Sequence, residues 1–522
     1  MNILLVTCRT NSESDESTLA ARMPLGLGYI ASTLKKYTDH AVFIVDLSHK
    51  KLDFDRISSF IYENKIDIVG ISSVVANYLF CVDFTKYIKK EFPNLFIVMG
   101  GALPTTLPDI ILEYCCVDVV VRGPGEVIII DIVSNIDTYK SKSPCIISGR
   151  MPKTIDEIPW PDWEAMDYQS YDYLPPWSDF PILSSRGCPF HCNYCYKING
   201  NLYIERSIDD LFAEVCHVVE NLGMRHFMLQ DDLFFLNHKR VGLFCGKIIE
   251  ANLPIDWSAI SRIDLLNEET IYLLKKSGCR ALGIGIESGS DNMLKEMNKR
   301  LSLKKSTENI KLLHTYGIKV MPYIIVGYPG ENSETLLQTE EFLIENRLYS
   351  AMTYAFPFPG TKLWQIAESR GMIKDIREYL SRSSFSVSTM HYNFTEMPDD
   401  EFIRNIEGMR KRVLFEYLSN NLKYLHSNTN YDSIYIYGAG YLGKGLYDFI
   451  ISSGVNPSRI KSFIDDDSRR SGIGYRGTPV ITLKESKMTE KDICFVANNY
   501  FADVMYEKIR KTGKDNNIVT LT

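Results

Sequence analysis

Three cysteines stand within eight residues, in Arg186-Gly-Cys188-Pro-Phe-His-Cys192-Asn-Tyr-Cys195, directly behind the apolar run Pro181–Ser185. No other feature limits the fold as strongly. Thiols spaced C-x3-C-x2-C converge only when their loop wraps around a guest, and the loop needs a regular element to anchor it. Two guests suit such a set. Structural zinc takes four protein ligands. His191 is close, but no later Cys-x2-Cys or His pair completes a tetrahedron. An iron–sulfur cluster on three thiolates leaves one iron open to a cofactor or substrate. Other cysteines, such as Cys8, Cys81, Cys216, Cys245, Cys279 and Cys494, stand alone in apolar segments and read as small core residues.

The rest of the chain alternates short Val- and Ile-rich runs with helical patterns, which predicts an α/β protein with buried parallel strands. In residues 1–135 the expected strands are Asn2–Thr7, Ala41–Asp46, Ile66–Ser72, Leu95–Met99 and Val117–Val121, with helices such as Leu25–Tyr37 and Phe80–Glu91 between them. This is a doubly wound, flavodoxin-like sheet, whose ligands sit at the carboxyl ends of the strands. Thr7–Pro24, Ser72–Asn77, Gly100–Gly101 and Gly123–Glu126 fall at those ends. Residues 136–178 form a linker broken by prolines, with Ile158-Pro-Trp-Pro-Asp-Trp and Tyr173-Leu-Pro-Pro-Trp. Residues 179–400 again alternate, with strands near Pro181–Ser185, His226–Gln230, Ile255–Ala259, Ala281–Ile286, Lys319–Ile325 and Ala351–Phe356. Six such units predict a partial (β/α)6 barrel with its site at the carboxyl ends. Residues 401–428 are an expected helical connector, and 429–522 a small Rossmann-like domain.

The 522 residues are 45% hydrophobic and 24% charged, with net charge −7. That balance gives no reason to expect nucleic acid or an anionic membrane as partner. No apolar run is long enough to span a bilayer. Met1-Asn-Ile-Leu-Leu-Val-Thr lacks a basic leader and reads as a first strand. The expectation is a cytoplasmic protein with reduced thiols.

The triplet, with Tyr194 before its last cysteine, resembles the C-x3-C-x-aromatic-C signature of the radical S-adenosylmethionine (SAM) superfamily. The resemblance implies that Cys188, Cys192 and Cys195 ligate a [4Fe–4S] cluster whose open iron binds SAM, and that Tyr194 lies by the adenine. It implies polar contacts to SAM from Asp231 and Asp232 in Gln230-Asp-Asp-Leu-Phe234, although helix capping would also explain both acids. It implies a further contact from Glu287 in Gly283-Ile-Gly-Ile-Glu287-Ser-Gly289, where an ion pair is the alternative. Gly327 and Gly330, in Ile324-Ile-Val-Gly327-Tyr-Pro-Gly330-Glu331, resemble the family's glycine-rich adenine side. Phe356-Pro-Phe-Pro-Gly360-Thr361 ends the sixth strand.

A doubly wound domain ahead of such a barrel resembles the cobalamin (B12)-binding radical SAM enzymes over about residues 1–400. Arg22-Met-Pro24-Leu-Gly26-Leu-Gly28, Ser72, Val98-Met-Gly100-Gly101 and Val121-Arg-Gly123-Pro-Gly-Glu126 would face cobalamin. The cobalt-ligating Asp-x-His-x-x-Gly of many cobalamin proteins is absent, since Thr7–Met23 holds no histidine, and His40 and His49 are expected to be surface residues. The first domain's cysteines do not match the three that hold a second cluster in methylthiotransferases. Finally, Gly438-Ala-Gly440-Tyr-Leu-Gly443 follows a strand and opens a helix, and Asp465 and Asp466 end the next strand. That pattern suits a nucleotide phosphate at a helix N-terminus, and it resembles small domains found beside sugar-modifying enzymes.

The combined expectation is a radical SAM enzyme that methylates or rearranges an unactivated carbon of a small-molecule or carrier-linked substrate. A flavodoxin or ferredoxin would donate electrons. A cobalamin-free radical reaction and a non-catalytic cofactor-binding protein stay open at this point.

Overall fold

A computed structural model describes residues 1–9, 23–50, 52–171, 180–350, 352–382, 387–421, 431–467, 470–472, 474–498, 502–512 and 517–520. Most of the polar segment Thr7–Pro24, the Tyr173–Trp177 part of the linker and the end of the connector lie outside the described residues. The chain forms two compact units. One comprises residues 1–260, 297–299 and 354–392, and the other 261–296, 300–353 and 393–522.

In the first unit, β1 (Asn2–Thr7), β2 (Ala41–Asp46), β3 (Ile68–Ser73), β4 (Phe96–Gly101), β5 (Val119–Arg122) and β6 (Cys145–Ser148) form one parallel sheet in the order β2-β1-β3-β4-β5-β6. Ile3 to Val6 of β1 are almost wholly buried, as a strand covered by helices on both faces requires. Leu27, Leu34, Phe96, Val98 and Val119 share one core with Ile3 and Leu5, each side chain worth about 1.5–3 kcal/mol of burial. β6 lies in the stretch expected to be linker, so the sheet has a sixth strand beyond residue 135.

The barrel strands of this unit are β7 (Phe180–Ile182), β10 (His226–Leu229) and β11 (Asp256–Ser261), and β10 pairs in parallel with both neighbours. The expected strand Pro181–Ser185 is two pieces. The chain leaves the sheet after Ile182, and β8 (Ser185–Arg186) pairs antiparallel with β9 (Ile204–Glu205). Side chains start the helices: the Ser207 hydroxyl accepts the Asp210 N–H at 3.2 Å, and the Thr361 hydroxyl accepts that of Trp364 at 3.0 Å.

In the second unit, β12 (Cys279–Glu287) pairs in parallel with β13 (Lys319–Val326), and β14 (Thr353–Tyr354) follows them, so each of the six strands expected of the second block has a counterpart. The connector is the helix Asp399–Asn421. Its Arg412 donates to Glu340 at 2.7 Å, and Leu414, Tyr417 and Leu418 enter one core with Ile434, Ile436, Leu446 and Phe463. The C-terminal block is a parallel sheet of β15 (Ile434–Tyr437), β16 (Ile460–Ile464), β17 (Val480–Ile481), β18 (Ile493–Val496) and β19 (Ile518–Thr520), ordered β17-β16-β15-β18-β19. Numbered from β15 this is 3-2-1-4-5, a doubly wound order whose switch point lies between β15 and β18. Among the described residues, no helix is long and apolar enough to cross a membrane.

Candidate functional site

The cysteine loop occupies the excursion between β8 and β9, so one antiparallel pair closes its neck. Gly187 sits in that neck at φ +85°, and a Cβ there would lie 1.7 Å from the Leu202 carbonyl oxygen. Only glycine lets the two arms approach so closely. The Gly187 N–H donates to Asp232 Oδ2 at 2.8 Å. The other acid of the pair, Asp231, is buried, and its oxygens are taken. Oδ1 accepts the Ser184 N–H at 2.6 Å, while Oδ2 accepts the hydroxyl of Ser185 at 2.7 Å and that of Ser184. Burial raises its pKa, and the serine hydrogen bonds and Arg240 oppose the rise. Arg240 also donates to the Ser184 carbonyl at 2.7 Å. Asp231 therefore braces the strand end that leads into the loop, and Asp232 ties down the residue before Cys188. Neither acid is a helix cap.

The body of the loop is held as firmly. Asn298 donates to the His191 carbonyl at 2.6 Å, the Asn193 N–H to the Met297 carbonyl at 3.0 Å, and the Leu363 N–H to the Asn193 carbonyl at 3.2 Å. Lys197 donates to the carbonyls of Cys188 and Phe190. Cys192 and Cys195 line a recess with Thr106, Tyr196, Gly360 and Lys362. Burial, followed by the Cys192 and Cys188 thiols, pushes the Cys195 thiol up to about 11, and burial also raises Cys188. Among the described residues, no three His, Cys, Asp or Glu side chains are already drawn into a metal shell. The donor set suits a cluster held on one side. Three thiols share a braced loop, two of them, Cys192 and Cys195, line an open recess, and Asp232 is engaged by the Gly187 N–H. Tyr194 is half-buried within this loop.

The first domain presents Ser72, Gly100, Gly101 and Gly123 at the carboxyl ends of β3, β4 and β5, the edge expected from the sequence. Gly101, at φ +104°, lies against β3, where a Cβ would meet the Ser73 carbonyl oxygen at 2.6 Å. The Gly123 N–H donates to the Thr105 hydroxyl at 2.9 Å. Pro24 and Gly26 stand at the start of the helix Leu25–Tyr37, and a Cβ on Gly26 would touch nothing. The β2 end is closed: Tyr171 donates to Asp46 at 2.9 Å and stacks on His49 at 4.1 Å, and His49 Nε2 lies 2.9 Å from the Ser170 carbonyl. His49 is thus bound to the segment after the domain, not a free surface residue. Glu126, expected on the ligand edge, instead pairs with Arg186 at 2.6 Å. Sequence reading gave no role to Lys197, whose partners lie within the loop, or to Arg186, Gly187 and Tyr196, whose partners are distant in the chain. Their position flanking the triplet was the available signal.

In the second unit Glu287 ends β12 just past a bulge, buried and at φ +70°. A left-handed, buried glutamate at a strand's carboxyl end is a strained position of the kind that gathers at functional sites. Gly327 and Gly330 follow β13, and the Gly327 N–H donates to Glu331. Burial pushes Glu331 up to about 8. In the C-terminal sheet a Cβ on Gly443 would lie 1.8 Å from the Gly438 carbonyl oxygen, whereas one on Gly440 would meet nothing nearer than Arg470 Nη1 at 3.6 Å. Asp465 spends its carboxylate on this turn, accepting the N–H groups of Ala439 and Asp467 at 2.9 Å each and pairing with Arg470 at 3.3 Å.

Comparisons with known proteins agree with this architecture. A family model of the Radical SAM superfamily matches residues 182–343, and one of the B12 binding domain matches residues 22–133. An uncharacterized methyltransferase of Pyrococcus horikoshii is 30% identical over 392 residues, covering 72% of this chain and 84% of its own. An anaerobic magnesium-protoporphyrin IX monomethyl ester cyclase of Rubrivivax gelatinosus is 27% identical over 381 residues, covering 68% of each chain. Among solved structures, the radical SAM methyltransferase TsrM of Kitasatospora setae, with cobalamin and a [4Fe–4S] cluster bound, superposes with TM-score 0.56 at 17% identity. That superposition covers 70% of this chain and 78% of TsrM, and at that identity it establishes the fold. With the thiol loop, the half barrel and the glycine-edged first domain in one chain, this protein belongs to the radical SAM enzymes that carry a B12-binding domain and work with a [4Fe–4S] cluster, SAM and cobalamin.

Proposed function

We propose that the enzyme transfers a methyl group to an unactivated carbon of a small-molecule or carrier-linked substrate. One observation carries the reading: the cysteine loop is fastened by side-chain contacts to the carboxyl edge of the B12-binding domain. The Pyrococcus horikoshii relative, named as a methyltransferase, supports it. When bound, the cluster would supply an electron to SAM, SAM a hydrogen-abstracting radical, and cobalamin a methyl group.

The chain's own work is to hold and to exclude. Cys188, Cys192 and Cys195 would hold the cluster, and Asp231, Asp232 and Gly187 keep their loop closed. Tyr194, Glu287, Gly327 and Gly330 are the proposed SAM contacts. Pro24, Gly26, Ser72, Gly100, Gly101 and Gly123 are the proposed cobalamin contacts. The turn at Gly438, Gly440 and Gly443, with Asp465 as its brace, is proposed to take a nucleotide phosphate. A cytoplasmic setting with flavodoxin or ferredoxin as electron donor suits twelve cysteines that form no disulfide among the described residues.

The test is anaerobic purification with cobalamin supplied, then metal analysis and SAM turnover. The expected content is about four irons and a single cobalt per chain, with methyl-labelled SAM passing label to cobalamin. Cys188→Ala should abolish 5′-deoxyadenosine formation, and retained formation would sink the cluster assignment. Cobalt bound without methyl transfer to any product would turn the reading toward ring formation. Iron without cobalt would remove cobalamin from it.

A further inference from the structure

The cysteine loop is tied to the first domain at both of its ends. On the entering side Arg186, two residues before Cys188, places Nη1 2.6 Å from Glu126 Oε1, and its guanidinium lies 5.0 Å from the ring centre of Tyr29. Both members of the pair are buried. On the leaving side Tyr196, next to Cys195, donates to the Ala102 carbonyl at 2.8 Å and lies 3.1 Å from the Thr106 hydroxyl. Its ring stacks on Phe358 at 5.4 Å. Glu126 opens the helix behind β5, and Ala102 and Thr106 belong to the short helix behind β4. The two anchors thus grip the strand ends that carry Gly101 and Gly123.

Closing the loop does not need these anchors. Gly187, Asp232, Lys197, Asn298 and Met297 already close it from within the barrel and loop. A buried arginine is tolerable only with a partner at short range, which makes the entering contact stiff. The phenol on the other side adds a direction.

We propose that Glu126, Arg186 and Tyr196 are positioning residues that set the spacing between the thiol loop and the ligand edge of the first domain. The proposal rests on the reading of that loop as the seat of the cluster and of that edge as the seat of cobalamin. Two cofactors that must meet over one substrate react only within a narrow range of separation, and a loop held at one end alone would swing.

The test uses the cluster-loaded enzyme with a gadolinium chelate on Cys116, an exposed thiol of the first domain. Pulsed dipolar spectroscopy reads the distance from label to reduced cluster, beside iron content and melting temperature. Wild type should give one narrow distance. Glu126→Gln and Tyr196→Phe should keep the iron and broaden that distance, their combination should broaden it further, and Arg186→Lys, which preserves the charge, should stay close to wild type. Variants with full iron and the wild-type distance overturn the proposal. So do variants that all lose iron, because the contacts would then build the loop rather than space it. Cobalt analysis of the wild type stands apart: iron without cobalt fails the cobalamin reading and leaves the distance measurement to decide this one.

Discussion

Replacing Gly187 with alanine should disarm the cysteine loop while leaving the fold in place. The new Cβ would sit 1.7 Å from the Leu202 carbonyl oxygen and 2.9 Å from its carbon, at a φ of +85°. A Cβ contact under 3.0 Å does not persist, so Leu202 must retreat by 1.3 Å, the gap between 1.7 and 3.0 Å. Leu202 cannot retreat alone, because Arg186 and Ile204 are paired across the same neck. Left-handed backbone costs a non-glycine residue about 1–2 kcal/mol. Parting the β8–β9 pair forfeits one or two hydrogen bonds at about 1 kcal/mol each. A local cost of about 2–4 kcal/mol lies below the 5–15 kcal/mol that holds a typical domain, so the chain stays folded but its thiols lose register. Gly223→Ala is the control: at φ +72° with nothing within 4 Å, it bears the backbone term alone. The assay is iron per chain after anaerobic reconstitution, with melting followed by circular dichroism. Gly187→Ala should lose most of its iron with a melting shift of several degrees, at about 2–4 °C per kcal/mol. Gly223→Ala should keep its iron. Full iron in Gly187→Ala, or equal losses in both variants, would refute the reasoning.

Asp231→Ala should be severe, since it strands two buried donors, the Ser184 N–H and hydroxyl, at about 1–3 kcal/mol each, while the Ser185 hydroxyl retains the Leu233 carbonyl at 3.3 Å; Asp231→Asn keeps the oxygen facing the Ser184 N–H and should fall between, so equal melting of the two variants would contradict the bracing role. Glu331 gives a pH dependence. Its carboxyl is raised from the usual 4.5 to about 8 in the folded protein. The unfolded chain therefore releases this proton first, and the stability that Glu331 contributes below pH 4.5 is lost as pH rises toward 8. Glu331→Gln should flatten that part of the stability profile measured by denaturant titration, and an unchanged slope would count against the burial effect. Gly443→Ala should unsettle the C-terminal module, where a Cβ would lie 1.8 Å from the Gly438 carbonyl oxygen, whereas Gly440→Ala should leave its melting unchanged.

Much of the fold was legible in the chain because parallel strands buried on both faces write themselves as short Val/Ile runs. β1 and β2 match their expected bounds residue for residue, and β12 and β13 differ only at their ends. β6 was missed because it is four residues long and lies at the sheet's edge, too short to show a period. The strand expected at Pro181–Ser185 was misjudged as continuous because nothing local announces that Asp231, 47 residues on, captures the Ser184 N–H. The cysteines were legible from spacing alone. Their supports were not. Glu126 with Arg186, Tyr196 with Ala102 and Asp232 with Gly187 are each joined across a long stretch of chain, and a sequence without relatives beside it holds no trace of such pairs. Glutamate after a glycine turn looks like a ligand whether it faces a cofactor or an arginine.

The double tether also bears on how such enzymes can be taken apart. Domains strung on a linker are often treated as cassettes, to be trimmed or exchanged. Here the metal loop borrows a carboxylate, a carbonyl and a hydroxyl from the preceding domain. A barrel expressed from residue 179 onward would carry Arg186 with no acid to meet it and Tyr196 with no acceptor behind β4. A chimera that joins this barrel to another B12-binding domain must therefore match three side-chain and backbone partners at its seam, not merely the length of the linker.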